Sequence, residues 1–156
     1  MKTIRREIAT ADLPNRDRGR QDRPSRPVLT CDDRRRLGSL VTDGKWQVNA
    51  SLMYALDARL DQAEYVEREE VPDDVVTMNS TVELIDLLTD EVLEVTLVYP
   101  YETEFYDQSV SVLRPLGLAL LGSTAGSVVQ CRKDGRRARY RIAAVTHQPE
   151  WTFTRH

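Results

Sequence analysis

A chain of 156 residues has room for one ordinary domain, or for a small domain with an appendage. Its net charge of −3 is unevenly spread, with +4 on residues 1–27 and −7 on the rest; the folded part is therefore acidic and does not read as a general nucleic-acid binder, although a patch of either sign can dock on an opposite one. No apolar run approaches the roughly 20 residues of a membrane span, no apolar h-region follows the first Lys and Arg, and two cysteines without a motif, Cys31 and Cys131, suit a reducing compartment, so the expectation is a soluble cytoplasmic protein without a membrane partner.

Residues 1–27 read as a disordered basic tail. Arg, Asp, Gln and Pro dominate, and Met1, Ile4, Ile8 and Leu13 are too sparse to anchor a core. Acids interrupt the basic residues throughout, which favours a solvated extension over an arm for nucleic-acid phosphates.

Residues 28–68 read as a short antiparallel helical hairpin. Thr30 followed by Asp33 resembles a capping box with Asp in place of Glu or Gln, and Asp32 and Asp33 suit the positive end of a helix dipole. Leu37, Leu40 and Val41 then make one apolar stripe, and Thr42-Asp43-Gly44-Lys45 marks the helix end and turn. At about twelve residues this helix reaches only about 18 Å. A second helix, entered near Asn49 or Ser51, places Leu52, Ala55, Leu56, Leu60, Ala63 and Val66 on one face, with Asp57, Arg59, Asp61, Glu64 and Glu67 outward. The charged, proline-bearing run Glu67–Asp74 reads as a hinge, with the linker drawn at residues 69–76.

From Val75 the period changes to two, and residues 77–150 read as a second domain. Strands are expected at Val75–Leu87, Val92–Tyr99, Ser109–Leu113, Ser127–Arg132 and Ala138–Thr146, with turns at Asp90 and at Asp134-Gly135. Pro115 lacks an N–H that a first helical position would not use, and Gly122 relieves the backbone at the far end, so a helix is expected from Pro115 to Leu121. An antiparallel sheet with this one covering helix gives an α+β class. Residues 151–156 are left as a C-terminal tail.

No catalytic constellation is present. The chain has no Gly-rich phosphate loop, no Cys/His cluster with metal spacing and no nucleophile signature. The histidines are His147, just past the last strand, and His156 at the end; Cys131 reads as a small core hydrophobe, and Asp73-Asp74 as a solvated linker. No catalytic residue, metal ligand or cofactor is expected.

The run Val110-Ser-Val-Leu-Arg-Pro-Leu-Gly-Leu-Ala-Leu-Leu-Gly122 with Gly126-Ser-Val-Val129, preceded by Thr77-Met-Asn-Ser-Thr-Val-Glu-Leu-Ile85, resembles the C-terminal domain of the bacterial GreA/GreB transcription elongation factors. Val71-Pro-Asp-Asp-Val-Val-Thr-Met-Asn-Ser80 and Leu97-Val-Tyr-Pro100 are similar to the Gre-related branch named for regulating nucleoside diphosphate kinase. The resemblance covers about residues 26–149 and implies an FKBP-like second domain. It implies as partner bacterial RNA polymerase, whose secondary channel a Gre hairpin enters, with DNA or RNA contacted only through polymerase.

In Gre factors, acids at the hairpin tip help hold a second Mg²⁺ for cleavage of backtracked RNA. Here the tip carries Asp43, with Lys45 opposing a cation, and the hairpin is several turns shorter. Asp43-Gly44 also reads as an ordinary turn pair, and Trp46 either staples the helices or anchors a contact. The resemblance therefore implies polymerase docking through the tip residues Asp43, Lys45 and Trp46, without transcript cleavage. It implies a second contact at the corner Leu113-Arg114-Pro115, where Arg114 replaces the serine of the Gre Ser-Pro pair and can fork onto carboxylates. Arg132-Lys133 and Arg136-Arg137 read as ordinary turn chemistry. The rivals are a true cleavage factor relying on Asp43, and a direct kinase regulator. A peptidyl-prolyl isomerase using Tyr99, Tyr101, Phe105 and Tyr106 is the third.

Overall fold

The computed structural model describes residues 26–43 and 49–151. Strand β1 (Val28–Thr30) leads directly into helix α1 (Cys31–Asp43); helix α2 (Ala50–Gln62) follows and is succeeded by strand β2 (Glu64–Val66). Strands β1 and β2 pair in parallel, Leu29 opposite Tyr65, and close the base of the helical pair.

Local chemistry explains the helix ends. Thr30 Oγ1 accepts the Asp33 N–H at 3.0 Å, and Asn49 Oδ1 accepts the Ser51 N–H at 2.7 Å, so each helix start has a side-chain cap. Leu37 and Leu40 of α1 and Leu56 and Leu60 of α2 are buried on the facing stripes. The second helix ends earlier than its apolar spacing implies. Ala63 is already extended, and the Glu64 N–H bonds the Pro27 carbonyl at 2.7 Å, so strand pairing takes over from helix and places Val66 in β2.

The remaining strands, β3 (Thr81–Asp86), β4 (Val92–Val98), β5 (Ser109–Ser111), β6 (Val128–Lys133) and β7 (Arg136–His147), form one sheet in the order β5-β4-β3-β7-β6. Every neighbouring pair is antiparallel except β4–β5, where a 3-10 turn over Pro100–Phe105 and the loop after it return the chain parallel to its start. Register shifts in β3–β7 at Thr81/Val82 and Glu83/Leu84 let the 12-residue β7 curl. The β6–β7 turn has Asp134 at φ 54° and Gly135 at φ 79°, the left-handed pair that a two-residue hairpin requires. Helix α3 (Pro115–Leu120) covers the inner face, packing chiefly on β6.

Residues 75–80 do not join the sheet as a strand. Thr77 and Ser80 satisfy one another instead: the Thr77 N–H donates to Ser80 Oγ at 2.9 Å and the Ser80 N–H to the Thr77 carbonyl at 3.0 Å, with Asn79 left-handed at φ 68°. Short hydroxyl side chains here outcompete the ladder. The run expected as a charged hinge is also pinned, since Val71, Val75 and Val76 are buried. One core links both parts: Leu29, Leu37 and Leu56 pack in the same cluster as Val76, Val82, Leu97, Leu121 and Ile142. At about 1.5–3 kcal/mol per buried aliphatic side chain, such shared burial supports helices too short to stand alone.

Candidate partner-docking site

Of the three expected tip residues, Asp43 is the last residue of α1 and is exposed, while Lys45 and Trp46 lie outside the described residues. Helices α1 and α2 have 13 residues each, so each spans about 20 Å.

The corner between β5 and α3 is rigid. The Leu113 N–H bonds Ser111 Oγ at 3.0 Å, the Arg114 N–H bonds the Ser111 carbonyl at 3.0 Å, and the Arg114 carbonyl accepts the Leu118 N–H at 2.9 Å. Pro115 follows at the first helical position. Gly117 seats the helix on the strand: a Cβ there would lie 2.0 Å from the Ser111 carbonyl oxygen. Leu113 belongs to the core, so its side chain is withdrawn from the surface. Arg114 is exposed and Pro115 half-buried, and these two make the accessible part of the corner. They border a cleft of about 520 Å³ that Leu116, Cys131, Lys133 and Tyr140 also line.

The connection between helices and sheet rests on a residue whose role the sequence reading missed. Asp33 is buried, and its carboxylate accepts the Tyr99 Oη–H at 3.1 Å and lies 3.4 Å from the Met78 N–H. The Arg36 guanidinium lies 4.2 Å from the centroid of the Tyr99 ring and donates to Tyr101 Oη at 3.2 Å, while the Tyr99 and Tyr101 rings stack at 5.5 Å. Buried Glu150, which accepts the Thr77 hydroxyl at 2.6 Å, adds a second carboxyl. Burial first, and then the Glu150 charge, push the Asp33 carboxyl up from 3.8 to about 6. Burial also holds the Tyr99 phenol above its ordinary range. The available signal was the Asp standing where a capping box has Glu or Gln. Only half of the box forms, because the Asp33 carboxylate turns to the sheet. The aromatic group around Tyr99 is likewise divided: Tyr99 is buried, whereas Phe105 and Tyr106 are exposed.

Arg59, expected to face outward, holds the C-terminal end of α3. Its Nε donates to the Leu121 carbonyl at 2.7 Å, and its Nη2 lies 3.1 Å from Ser123 Oγ and 3.4 Å from the Ala119 carbonyl. A cation at unsatisfied helix-end carbonyls is favourable, and burial lowers the guanidinium's pKa. Beside it, Gly122 at φ 78° donates its N–H to the Val76 carbonyl at 2.8 Å and accepts the Val28 N–H at 3.2 Å. A Cβ at Gly122 would stand 2.5 Å from Pro27 Cβ, so glycine is required twice over.

Among the described residues, no group of three or more His, Cys, Asp or Glu is placed to hold a metal ion, and no helix is long and apolar enough to cross a membrane. A short helical pair packed on a curled, mostly antiparallel sheet with one covering helix defines the architecture of a Gre-type transcription factor. Residues 71–147 match the family described as "Transcription elongation factor, GreA/GreB, C-term". The chain is 40% identical over 97 residues to the regulator of nucleoside diphosphate kinase of Escherichia coli strain K12, covering 62% of this chain and 71% of that one. It is 30% identical over 121 residues to the transcription elongation factor GreA of Thermotoga maritima, covering 73% and 77% respectively. A solved GreA/GreB elongation factor from Nitrosomonas europaea superposes with a TM-score of 0.65 at 34% identity, covering 80% of this chain and 100% of that one. The chain belongs to the GreA/GreB family of transcription elongation factors.

Proposed function

We propose that this protein binds bacterial RNA polymerase at the secondary channel and competes there with Gre factors without stimulating transcript cleavage. The observation that carries this reading is the helical pair: two helices of 13 residues each, with a single acid, Asp43, in the sequence Thr42–Val48 between them. Holding a second metal ion beside a polymerase's own requires carboxylates, because two ions must steady both the attacking and the leaving oxygen. One exposed acid on a short hairpin supports occupancy of the channel and gives little support to cleavage.

In this account Asp43, Lys45 and Trp46 form the contact inside the channel, and Arg114 with Pro115 forms the contact at its rim. The buried cluster around Asp33 and the Arg59 clasp tie the helical pair to the part of the chain that carries Arg114. A regulatory effect on nucleoside diphosphate kinase, as in the relative's name, is then indirect, through transcription.

Photo-crosslinkers placed singly at Asp43 and Arg114 test the docking mode against purified polymerase. The account predicts that both label polymerase and that excess Gre factor suppresses both adducts. Labelling that Gre factor leaves unchanged would place the protein elsewhere on the enzyme. Co-elution with nucleoside diphosphate kinase in the absence of polymerase would favour direct kinase regulation instead.

A further inference from the structure

Between Arg132 and Arg141 the chain carries six Lys or Arg and one Asp, inside a folded part that is otherwise acidic. Strand pairing sets Arg132 directly opposite Arg137, and Lys133 directly opposite Arg136. Like charges facing one another across antiparallel strands cost stability, so two such pairs at one hairpin end are not ordinary turn chemistry. On β7, Tyr140 and Ile142 point into the core, whereas Arg137, Arg139 and Arg141 are exposed on the opposite face. Alternate residues on an antiparallel strand stand about 6.8 Å apart. That is comparable to the separation of successive phosphates along a nucleic-acid strand.

No carboxylate pairs with Arg132, Arg137, Arg139 or Arg141 among the described residues; the hydrogen bond of Arg132 goes to the Gly135 carbonyl, at 3.2 Å. The outward acids of the sheet lie at the other half of β7, where Glu83 pairs with Ala144 and faces Glu94 on β4. The sheet face is thus divided, and its cationic half carries Arg137, Arg139 and Arg141 at alternate positions of β7 with Arg132 beside Arg137 on β6.

We propose that the outer face of the β6–β7 ribbon binds the phosphate backbone of a single-stranded nucleic acid through Arg132, Arg137, Arg139 and Arg141. Guanidinium forks suit phosphate oxygens, and a row of fixed charges at regular intervals suits a polymer with regularly spaced charge. The four positions offer no aromatic stacking surface, so recognition is of the backbone and independent of sequence. The site needs no polymerase and does not rest on the channel reading. It also shows how a net charge summed over a whole domain conceals a local surface of the opposite sign.

Fluorescence anisotropy with the full chain and a labelled single-stranded oligonucleotide of about 12 residues tests this across about 50 to 200 mM salt. Three arginine contacts correspond to a salt-dependence slope shallower by about 2 when lost. The triple variant R137Q/R139Q/R141Q is therefore expected to lose most of the affinity and that much of the slope. Neutralising three tail arginines instead (R16Q/R18Q/R20Q) is expected to leave the ribbon's contribution in place. The substitutions are on exposed positions and relieve like-charge pairing, and thermal melting of each variant shows whether it folds. If the triple variant did not fold, R132Q/R139Q would replace it, with a slope shallower by about 1.4 expected from two contacts. Three results would overturn the proposal: no binding at the lowest salt, equal loss from the tail variant, or tighter binding of an acidic peptide of equal charge than of the oligonucleotide.

Discussion

Replacing Asp33 with Asn tests the physical account of how the helices are held to the sheet. The native carboxyl is buried, and its pKa is raised from 3.8 to about 6. In the folded protein it therefore binds its proton more tightly than in the unfolded chain. Between those two values the native state holds more protons, so this group's contribution to stability falls as pH rises through the window and is fully present only below it. At neutral pH both states are ionised, and the folded state carries a buried charge worth about 3 kcal/mol relative to its protonated form. Asn is close in shape to the protonated acid and reproduces its hydrogen-bonding pattern: the amide oxygen takes the Met78 N–H in place of one carboxylate oxygen, and the amide NH2 donates to Tyr99 Oη in place of the other. The D33N variant is thus expected to be more stable than the parent by up to about 3 kcal/mol near pH 7.5 and equal to it near pH 4. Urea denaturation of both proteins by circular dichroism at several pH values measures this directly. Taking the difference between them cancels the contribution of shared groups that do not interact with Asp33. A D33N variant destabilised equally at all pH values would refute the reasoning, because it would mean that Asp33 binds its proton equally in both states, its hydrogen bonds cancelling the desolvation.

The other expectations concern the same junction. Arg59→Ala removes the donor to Leu121 and Ser123 and is expected to cost about 1.5–3 kcal/mol, because carbonyls at a half-buried helix end lose a charged partner; chemical denaturation of the full chain measures it. Gly117→Ala drives a methyl group to 2.0 Å from the Ser111 carbonyl oxygen, and with backbone as the obstacle it is expected to cost at least about 1–3 kcal/mol. The same variant shifts the Arg114-Pro115 corner, so its affinity for polymerase should fall more than that of the folded Arg59→Ala variant.

Much of the fold was legible from the chain because local rules and tertiary packing agree in it. Proline at the start of α3, glycine after its end and Asp134-Gly135 between the last strands each do what their backbone chemistry dictates. The period-two runs over β3, β4, β6 and β7 locate the sheet. The parallel β4–β5 pair was not legible, because direction depends on the path of the intervening loop and not on alternation. Val75–Ser80 carries a strand-like composition, yet its hydroxyl side chains close a local turn. Arg59 and Asp33 look like surface charges in a helical pattern; only the position of the end of α3 and of Tyr99 makes them internal. At the candidate site, Arg114 and Pro115 emerge at the surface at the start of the helix, while Leu113, in the turn that follows β5, goes to the core together with Val112.

The central claim is that this Gre-family chain occupies the polymerase channel without activating cleavage. Titration of the protein into stalled, backtracked bacterial RNA polymerase during Gre-stimulated transcript cleavage tests it most directly. The account predicts dose-dependent inhibition of cleavage and no cleavage stimulated by this protein alone. Stimulation by this protein alone, abolished by Asp43→Ala, would contradict the account and make it a cleavage factor; unchanged Gre activity at saturating protein would contradict the claim of channel occupancy itself.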